Sequence, residues 1–253
     1  MSLADLAEEF ERRTGICGSL QELVPLIGDA GREIGFDHFA LTICDNLRQT
    51  APRFAHLDNY PPAYAEVFVA NGLYRFDPVL LHAQRRIGGF AWDDVRGMAT
   101  YQRELLDRAA REGLCSGYTV PANVPGEPCG AVSFASRRAC RMTSEICCVT
   151  DFIARTAFEA SRRLRGLSVL PAPVPHLATR EIQCLRRLAL GETDKQVARA
   201  LGISPDTVRQ YVKTARKSYR ARTRAELIAL ALRDSQILFG EPSIPLFGGT
   251  DLG

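Results

Sequence analysis

Long apolar runs, low-complexity tracts and internal repeats are all absent from the 253-residue sequence. A helix that crosses a bilayer needs about 20 consecutive, mainly apolar residues, so the sequence predicts no membrane-spanning segment. The first residues, MSLADLAEEFERR, mix apolar and acidic side chains, whereas a secretory signal peptide is basic and then apolar. These absences predict a cytoplasmic protein without a membrane partner.

Disulfide frameworks and zinc sites find no support in the pattern of cysteines. No C-x-x-C pair occurs, and the four histidines are scattered along the chain. Thiols that are buried or inert in a reducing cytoplasm are the better interpretation. The sequence contains eight cysteines: Cys17, Cys44, Cys115, Cys129, Cys140, Cys147, Cys148 and Cys184.

Motifs of the common enzyme classes are missing as well. The chain has no G-x-S-x-G elbow, no P-loop, no G-x-G-x-x-G and no H-E-x-x-H. An enzyme is therefore the weakest interpretation, and neither a metal nor a cofactor is predicted. A phosphorylation-controlled response regulator needs an acidic cluster after the first strand of a parallel sheet, which Cys44, Asp45 and Asn46 do not supply.

Charge is distributed unevenly along the chain. Residues 176–233 hold thirteen Lys or Arg and five Asp or Glu, a net charge of +8. The remainder holds nineteen basic and twenty-four acidic residues, a net charge of −5. A basic domain beside an acidic one is typical of a nucleic-acid binder that has a separate regulatory part.

Helix start and stop signals follow one another in this basic segment. Thr193 opens a capping-box pattern for a short helix over residues 194–201, and Gly202 suits the left-handed position after its last turn. Ser204 and Pro205 supply an N-cap hydroxyl and a first-turn proline for the next helix. This order is the helix-turn-helix pattern, in which the second helix enters the DNA major groove.

That second helix divides into an apolar and a polar face. The apolar stripe, whose spacing predicts inward packing, consists of Val208, Val212, Ala215 and Tyr219. The opposite arc carries side chains of the kinds that bond base edges and phosphates. A solvated charged face on a surface helix is the alternative. The predicted DNA contacts are Thr207, Arg209, Gln210, Lys213, Thr214, Arg216 and Lys217.

The segment resembles the DNA-binding domain of LuxR-type transcription regulators. A further helix over residues 224–233 follows a second capping box at Thr223, and in the family this helix pairs with its mate in a dimer. The family usually begins its first helix with Thr-Pro-Arg-Glu, whereas this chain has Ala178 before Thr179, which moves the predicted cap to Thr179. The residues in register with the family are Glu181, Leu185, Gly191, Ala198, Leu201, Ser204, Thr207 and Val208.

The preceding half alternates between helix and strand patterns. Predicted strands cover residues 38–44, 53–57, 117–121 and 130–136. Predicted helices include residues 62–74, a short one after Asp77 and Pro78, residues 98–114 and residues 144–164. The sequence therefore predicts an α/β class for this half, an α-β-α sandwich with a mainly antiparallel sheet, followed by an all-α helix-turn-helix domain.

Four stretches of this half resemble the acyl-homoserine-lactone binding domain of the LuxR group. They are NYPPAYAEVF at 59–68, RFDPVLLHA at 75–83, FAW at 90–92 and GLCSGYTVP at 113–121. The resemblance implies an acyl-homoserine-lactone signal as the small-molecule ligand. It also implies a homodimer, with double-stranded DNA and RNA polymerase as further partners.

An amide-lactone ligand in an apolar pocket needs polar partners, because an unpaired buried group costs about 1–3 kcal/mol. Asp77 is an ionised acceptor for the ligand's N–H, and Tyr60 resembles the family tyrosine that binds the amide carbonyl. Trp92 offers a flat apolar wall for the lactone ring, and Ser133 stands where the family often places a hydroxyl. Taken alone, an Asp before Pro is usually a turn or an N-cap, and a single Trp usually belongs to a core.

Two of the expected ligand contacts depart from the family pattern. Tyr64 replaces the usual tryptophan that donates to the lactone carbonyl, and Phe68 replaces the usual tyrosine four residues later. Tyr64 can still donate one hydrogen bond, with a different reach, while Phe68 can only pack. The identity of the ligand's acyl group is therefore left open.

These patterns divide the chain into four parts. Residues 1–165 form the predicted signal-binding and dimerisation domain, 166–175 a proline-containing linker, 176–233 the helix-turn-helix domain, and 234–253 a poorly ordered tail of unknown role. The leading hypothesis is a dimeric, ligand-responsive transcription regulator of quorum sensing that binds a palindromic operator. The alternative is a regulator of the same type that is ligand-independent or senses a different small molecule.

Overall fold

The computed structural model describes residues 2–44, 54–124, 127–139, 141–167 and 174–238. They belong to two compact units, Met1–Val169 and Leu170–Gly253. The first unit places helices on both faces of a sheet, and the second consists of helices. The predicted fold class is confirmed in both halves. Most of the predicted linker, residues 168–173, lies outside the described residues.

Within the described residues, the sheet has five strands in the order β2-β1-β5-β4-β3, and each pair of neighbours is antiparallel. The strands are β1 (His38–Cys44), β2 (Phe54–Asp58), β3 (Phe90–Ala91), β4 (Ser116–Ala122) and β5 (Cys129–Ser136). Four of them confirm predicted strands to within one or two residues. β3 was not predicted, because two residues are too few to show an alternating pattern.

In the described part of the first unit, six helices cover the two faces of the sheet. They are α1 (Leu3–Ile16), α2 (Leu20–Ile34), α3 (Pro62–Ala70), α4 (Pro78–Ala83), α5 (Thr100–Arg111) and α6 (Ser144–Leu164). Phe39, Leu41 and Phe134 on one face of the sheet are buried in a core shared with α1, α2 and α6. Helices α3, α4 and α5 contribute to a second core on the opposite face.

The helix predicted over residues 62–74 is wrong after residue 70. Helix α3 ends at Ala70, and a separate 3-10 turn covers Leu73–Arg75. Gly72 lies between them with φ of 62°, a left-handed conformation that a glycine adopts without a steric penalty. The chain therefore turns before Tyr74, whereas Tyr64 and Phe68 remain one turn apart on α3.

Residues 174–238 of the second unit contain four helices and an apolar core of their own. They are α7 (Thr179–Ala189), α8 (Asp194–Leu201), α9 (Pro205–Ser218) and α10 (Arg224–Arg233). The predicted capping box at Thr193 is present, and Gly202 ends α8 with φ of 65°. Ser204 accepts a hydrogen bond from the Thr207 amide and starts α9. These local signals are confirmed.

The predicted cap of α7 is wrong. The helix begins at Thr179, but its N-cap is Ala178, which has no side-chain acceptor. Glu181 compensates in part, because its carboxylate accepts a hydrogen bond of 2.8 Å from the Ala178 amide. The start of α7 is therefore stabilised by the glutamate bond of a capping box alone, without the bond from an N-cap side chain.

The apolar stripe of α9 packs inward as predicted. Val208, Val212 and Ala215 are buried on α9, and Tyr219 is buried at its C-cap. They join the core of the second unit, which α7, α8 and α10 complete. The polar arc of α9 is therefore the one that remains exposed.

No helix in the described parts of the chain is long and apolar enough to cross a membrane. The seven cysteines within those parts are not joined in disulfides, and three of them, Cys17, Cys44 and Cys184, are buried. Cys140 lies outside the described residues.

The chain after α10 turns back and buries Ile237 in the second unit, so the prediction of a poorly ordered tail is wrong at this position. Ser235 adopts φ of 56°, and the Gln236 amide donates a 2.9 Å hydrogen bond to the Ala231 carbonyl. This turn brings Ile237 into the apolar core, where it is only 1 % exposed. The rest of the predicted tail, residues 239–253, lies outside the described residues.

We expect Ile237→Ala to reduce the free energy of unfolding of the second unit by about 2–5 kcal/mol, because it leaves a cavity in a small core. Urea unfolding of the whole chain, followed by circular dichroism, measures the change. The adjacent Leu238 is 49 % exposed, and Leu238→Ala should alter the free energy by less than about 0.5 kcal/mol. Equal effects of the two substitutions would contradict the packing of Ile237.

Candidate ligand cavity and nucleic-acid interface

A partly enclosed cavity lies between the sheet and helices α3, α4 and α5. The space open to the centre of a water molecule inside it is about 30 Å³. Thr42 and His56 also line it and were not singled out from the sequence. All six residues predicted to contact a ligand lie in its wall: Tyr60, Tyr64, Phe68, Asp77, Trp92 and Ser133.

Strand register brings the polar residues of the cavity floor together. Ser133 on β5 pairs with Ala40 on β1 and with Thr119 on β4. Since directly paired residues point to the same face of a sheet, all three lie on the cavity side. The small Ala40 side chain leaves room above the centre of the floor.

Asp77 is the N-cap of α4 and also faces the cavity. Its Oδ1 accepts hydrogen bonds from the amides of Val79 at 2.7 Å and Leu80 at 3.2 Å. Because both bonds reach the same oxygen, the cap does not engage Oδ2. Burial raises the pKa of Asp77 to about 6, against the lowering effect of the two amides.

Three aromatic rings form one wall of the cavity. The rings of Tyr64 and Phe68 stack at 5.6 Å between centroids, and the Tyr60 ring lies 6.2 Å from that of Tyr64. Burial raises the pKa of both tyrosines, and the nearby carboxyl of Asp77 adds to the effect. Both hydroxyls therefore remain protonated and can donate hydrogen bonds.

Trp92 has a polar role as well as the predicted apolar one. Its indole N–H donates a 2.9 Å hydrogen bond to Thr119 Oγ1, which lies 2.8 Å from Ser133 Oγ. Gly117 makes the position of the ring possible, because a Cβ there would collide with the indole and with the carbonyl of Phe134. Sequence reasoning missed Thr119, although the alternation of β4 could have placed it on this face.

A second polar group lines the cavity at the β2 side. Thr42 and His56 are cross-strand partners, and Thr42 Oγ1 lies 3.0 Å from His56 Nδ1. His56 Nε2 lies 3.1 Å from Asp58 Oδ2. Phe39, Leu41 and Ile43 alternate along the predicted strand 38–44, and this spacing is a signal that Thr42 lies on the opposite face.

The polar arc of α9 is the candidate nucleic-acid interface. Arg209 contacts Asp206 one turn away, and both side chains are exposed. Thr207 is partly buried, with its hydroxyl 2.9 Å from Ser204 Oγ. Arg216 is also partly buried and donates to backbone carbonyls after the helix, so its first role is structural. The five exposed members of the predicted set are Arg209, Gln210, Lys213, Thr214 and Lys217.

Among the residues that the structure describes, no group of three or more His, Cys, Asp or Glu side chains is arranged to hold a metal ion.

Asp77→Asn should separate the charge of Asp77 from its capping role, since Asn caps a helix about as well as Asp. The folded-state pKa of about 6 lies above the usual 3.8, so the native state holds the proton more tightly than the unfolded chain. The contribution of Asp77 to stability is therefore lost as the pH rises towards 6. We expect the stability of Asp77→Asn relative to the parent to increase between about pH 4 and about pH 7.

Urea unfolding of parent and variant at both pH values measures this difference. A stability difference that does not change with pH would contradict the burial of the Asp77 carboxyl.

Two family profiles together match most of the chain. Residues 19–154 match the autoinducer binding domain, and residues 175–231 match the LuxR family of bacterial regulatory proteins. The chain is 25% identical to the regulatory protein SdiA of Escherichia coli over 203 residues, which cover 79% of this chain and 83% of SdiA. It is 26% identical to the transcriptional activator TraR of Rhizobium radiobacter over 203 residues, 78% of this chain and 86% of TraR.

Solved structures of the same group share the fold. A crystal structure of E. coli SdiA matches with a TM-score of 0.58 and 23% identity, covering 95% of this chain and 100% of SdiA. SdiA in complex with octanoyl-rac-glycerol matches with a TM-score of 0.57 and 24% identity, covering 92% of this chain and 96% of SdiA. The N-acylhomoserine-lactone-dependent factor CepR2 of Burkholderia cenocepacia matches with a TM-score of 0.55 and 16% identity, covering 67% of this chain and 98% of CepR2. With both halves matched in order, the chain belongs to the LuxR-type quorum-sensing transcription regulators, with an autoinducer-binding domain followed by a LuxR-type helix-turn-helix domain.

Proposed function

We propose that the chain binds an acyl-homoserine-lactone-like signal in the cavity and, as a cytoplasmic homodimer, a palindromic operator. The observation that carries the first part is the meeting of Tyr60, Tyr64, Asp77 and Trp92 around one cavity. Tyr60 lies in a loop, Tyr64 on α3, Asp77 at the N-cap of α4 and Trp92 in a 3-10 turn. Packing within one helix or strand therefore does not explain why these four side chains meet.

The polar atoms of the cavity suit an amide and a lactone. Asp77 is the acceptor for the ligand's amide N–H, in a charge-assisted bond of the stronger kind. Tyr60 donates to the amide carbonyl and Tyr64 to the ring carbonyl. Trp92 packs against the lactone ring, a role supported by the commitment of its N–H to Thr119. Phe68 lines the site of the acyl group.

Binding of such a signal requires the cavity to expand. A volume of about 30 Å³ corresponds to about two water molecules by this measure, far less than an acyl-homoserine lactone. The packed rings of Tyr60, Tyr64 and Phe68 must therefore separate to admit the ligand. The signal then becomes part of the core, and a concentration of 100 times its Kd adds about 2.7 kcal/mol to the stability of the native state.

DNA binding is proposed for the exposed arc of α9. In the helix-turn-helix arrangement, α9 enters the major groove, and a dimer places two such helices on successive major-groove faces of a palindromic site. The exposed Arg209 and Lys213 suit guanine edges, and Gln210 suits adenine. A regulator bound beside a promoter would have RNA polymerase as its next partner.

A different signal, or none, is the alternative that two observations favour. The cavity is small and its aromatic wall already packed, which suits a domain that folds without a ligand. In addition, one of the similar solved structures is SdiA in complex with octanoyl-rac-glycerol, a molecule that has no lactone. If a wide acyl-homoserine-lactone panel changes neither soluble yield nor Tm, this alternative replaces the leading proposal.

Tyr64→Phe tests the contact to the ring carbonyl, because it removes one hydroxyl with little change of volume. We expect the affinity for a responsive signal to fall by about 0.5–1.5 kcal/mol, and Asp77→Asn to weaken binding further. Fluorescence of Trp92, the only tryptophan, reports binding without a label.

Tyr101 is exposed and lies outside the cavity wall, so Tyr101→Phe is the matched control and should bind like the parent. If Tyr64→Phe binds as well as the parent while Asp77→Asn fails, Tyr64 only packs. Normal binding by both variants would refute the assignment of the pocket.

Arg209→Ala should weaken operator binding by about 1–3 kcal/mol and relax base preference, as expected for a bidentate contact to guanine. Fluorescence anisotropy with labelled operator and with sequence-scrambled duplex measures both effects. Arg180 is exposed on α7 and is not one of the proposed interface residues, and Arg180→Ala should bind like the parent. The assignment of α9 fails if Arg209→Ala and Lys213→Ala both keep the parent's affinity.

A further inference from the structure

A cluster of three polar side chains at the β2 side of the cavity makes none of the contacts proposed for the amide and the lactone of the signal. It consists of Thr42, His56 and Asp58, joined by contacts of 3.0 Å and 3.1 Å through the two ring nitrogens of His56. The Tyr60 amide donates a 2.9 Å hydrogen bond to Asp58 Oδ1 and fixes the carboxylate. The side chain of His56 is 7 % exposed, and Thr42 is 5 % exposed.

This cluster lies across the cavity floor from the group formed by Trp92 and Thr119. Thr42 lies on β1, and one strand, β5, separates β1 from β4 in the sheet, which corresponds to about 10 Å at the usual strand spacing. Ala40 lies between the two groups in the wall of the same cavity. A ligand whose lactone packs on Trp92 therefore directs its acyl chain over Ala40 towards Thr42.

The carboxylate of Asp58, 3.1 Å from His56 Nε2, determines which ring nitrogen carries the proton and so the direction in which the Thr42 hydroxyl points its own. Burial lowers the pKa of His56 more than Asp58 raises it, which favours the neutral ring near neutral pH. A carboxylate can only accept, so Nε2 of the neutral ring carries the proton and faces Asp58, and Nδ1 is an acceptor. Thr42 then donates its hydroxyl proton to Nδ1. Towards the cavity, Thr42 Oγ1 can offer only lone pairs.

We propose that Thr42, oriented by His56 and Asp58, is a specificity-determining residue that selects signals whose acyl chain carries a hydrogen-bond donor such as a hydroxyl. A keto oxygen at the same carbon is itself an acceptor, so it would repel the lone pairs of Thr42 Oγ1. An unsubstituted methylene would leave those lone pairs without a hydrogen-bond donor. The inference rests on the proposed function, since it requires the signal to occupy the cavity. One net hydrogen bond corresponds to roughly a two- to twelve-fold gain in affinity.

The test compares octanoyl-homoserine lactones that carry a hydroxyl, a keto group or hydrogen at one carbon, with the substituted carbon scanned along the chain. Quenching of Trp92 fluorescence in the full chain gives each Kd. We expect one hydroxyl position to bind roughly two- to twelve-fold more tightly than its keto and unsubstituted counterparts. Thr42→Val should abolish this preference, while Thr42→Ser, which restores the hydroxyl, should retain it.

Thr150→Val is the matched control, because Thr150 is a buried threonine of α6 that does not line the cavity. It should change neither affinity nor preference. A parent that binds the lactones without preferring a hydroxyl, or a Thr42→Val variant that keeps the preference, overturns the inference and leaves the proposed function standing. If the folded parent binds none of the lactones, the proposed function fails and the inference with it.

Discussion

The burial of polar side chains on one face of the central sheet is the constraint on which the signal-binding unit depends. The other face is filled by large apolar residues such as Phe39, Leu41 and Phe134, which pack against three helices. On the cavity face, each buried polar group that lacks a partner costs about 1–3 kcal/mol. The chain partners these groups in two places: Trp92, Thr119 and Ser133 form a chain of hydrogen bonds, and Thr42 bonds to His56, which contacts Asp58. The small side chain of Ala40 lies between the two groups, and this is where the cavity forms.

Asp77 connects this constraint to recognition. A helix begins most favourably after an Asp, Asn, Ser or Thr side chain, and Asp77 is this residue for α4. Helix α4 packs directly over the sheet. The cap engages only one carboxylate oxygen. Burial then raises the pKa of the group, so a ligand N–H that binds it stabilises the ionised form. A structural cap and a ligand acceptor are thus the same side chain, and the two interpretations open for Asp77 do not exclude each other.

Local signals in the sequence predicted most of the helix-turn-helix unit. The cap at Thr193, the left-handed Gly202 and the cap at Ser204 each depend on residues within one turn of the chain. The prediction of a poorly ordered tail failed at residue 237, because the burial of Ile237 depends on a turn after α10 and on a core built by distant helices. The cap of α7 failed because Glu181 alone, without a hydroxyl partner, holds the helix start.

For the cavity, the resemblance to a family supplied six wall residues, while further polar residues of the wall and the hydrogen-bond partner of Trp92 were missed. Thr119 is found through its bond to Trp92, and His56 through its pairing with Thr42. Both pairings depend on strand register across long stretches of chain, which an alternating pattern does not specify. The same gap explains why sequence reasoning assigned Trp92 only an apolar role.

The central claim is that the cavity holds a small amide-lactone signal through Asp77. Mass spectrometry of the molecules released from the folded chain, purified from cells that make acyl-homoserine lactones, tests it most directly. The account predicts one acyl-homoserine lactone per chain, lost from the equally folded Asp77→Asn variant. A folded and stable parent that releases no small molecule, or one molecule per chain of a compound without an amide and a lactone, would contradict it.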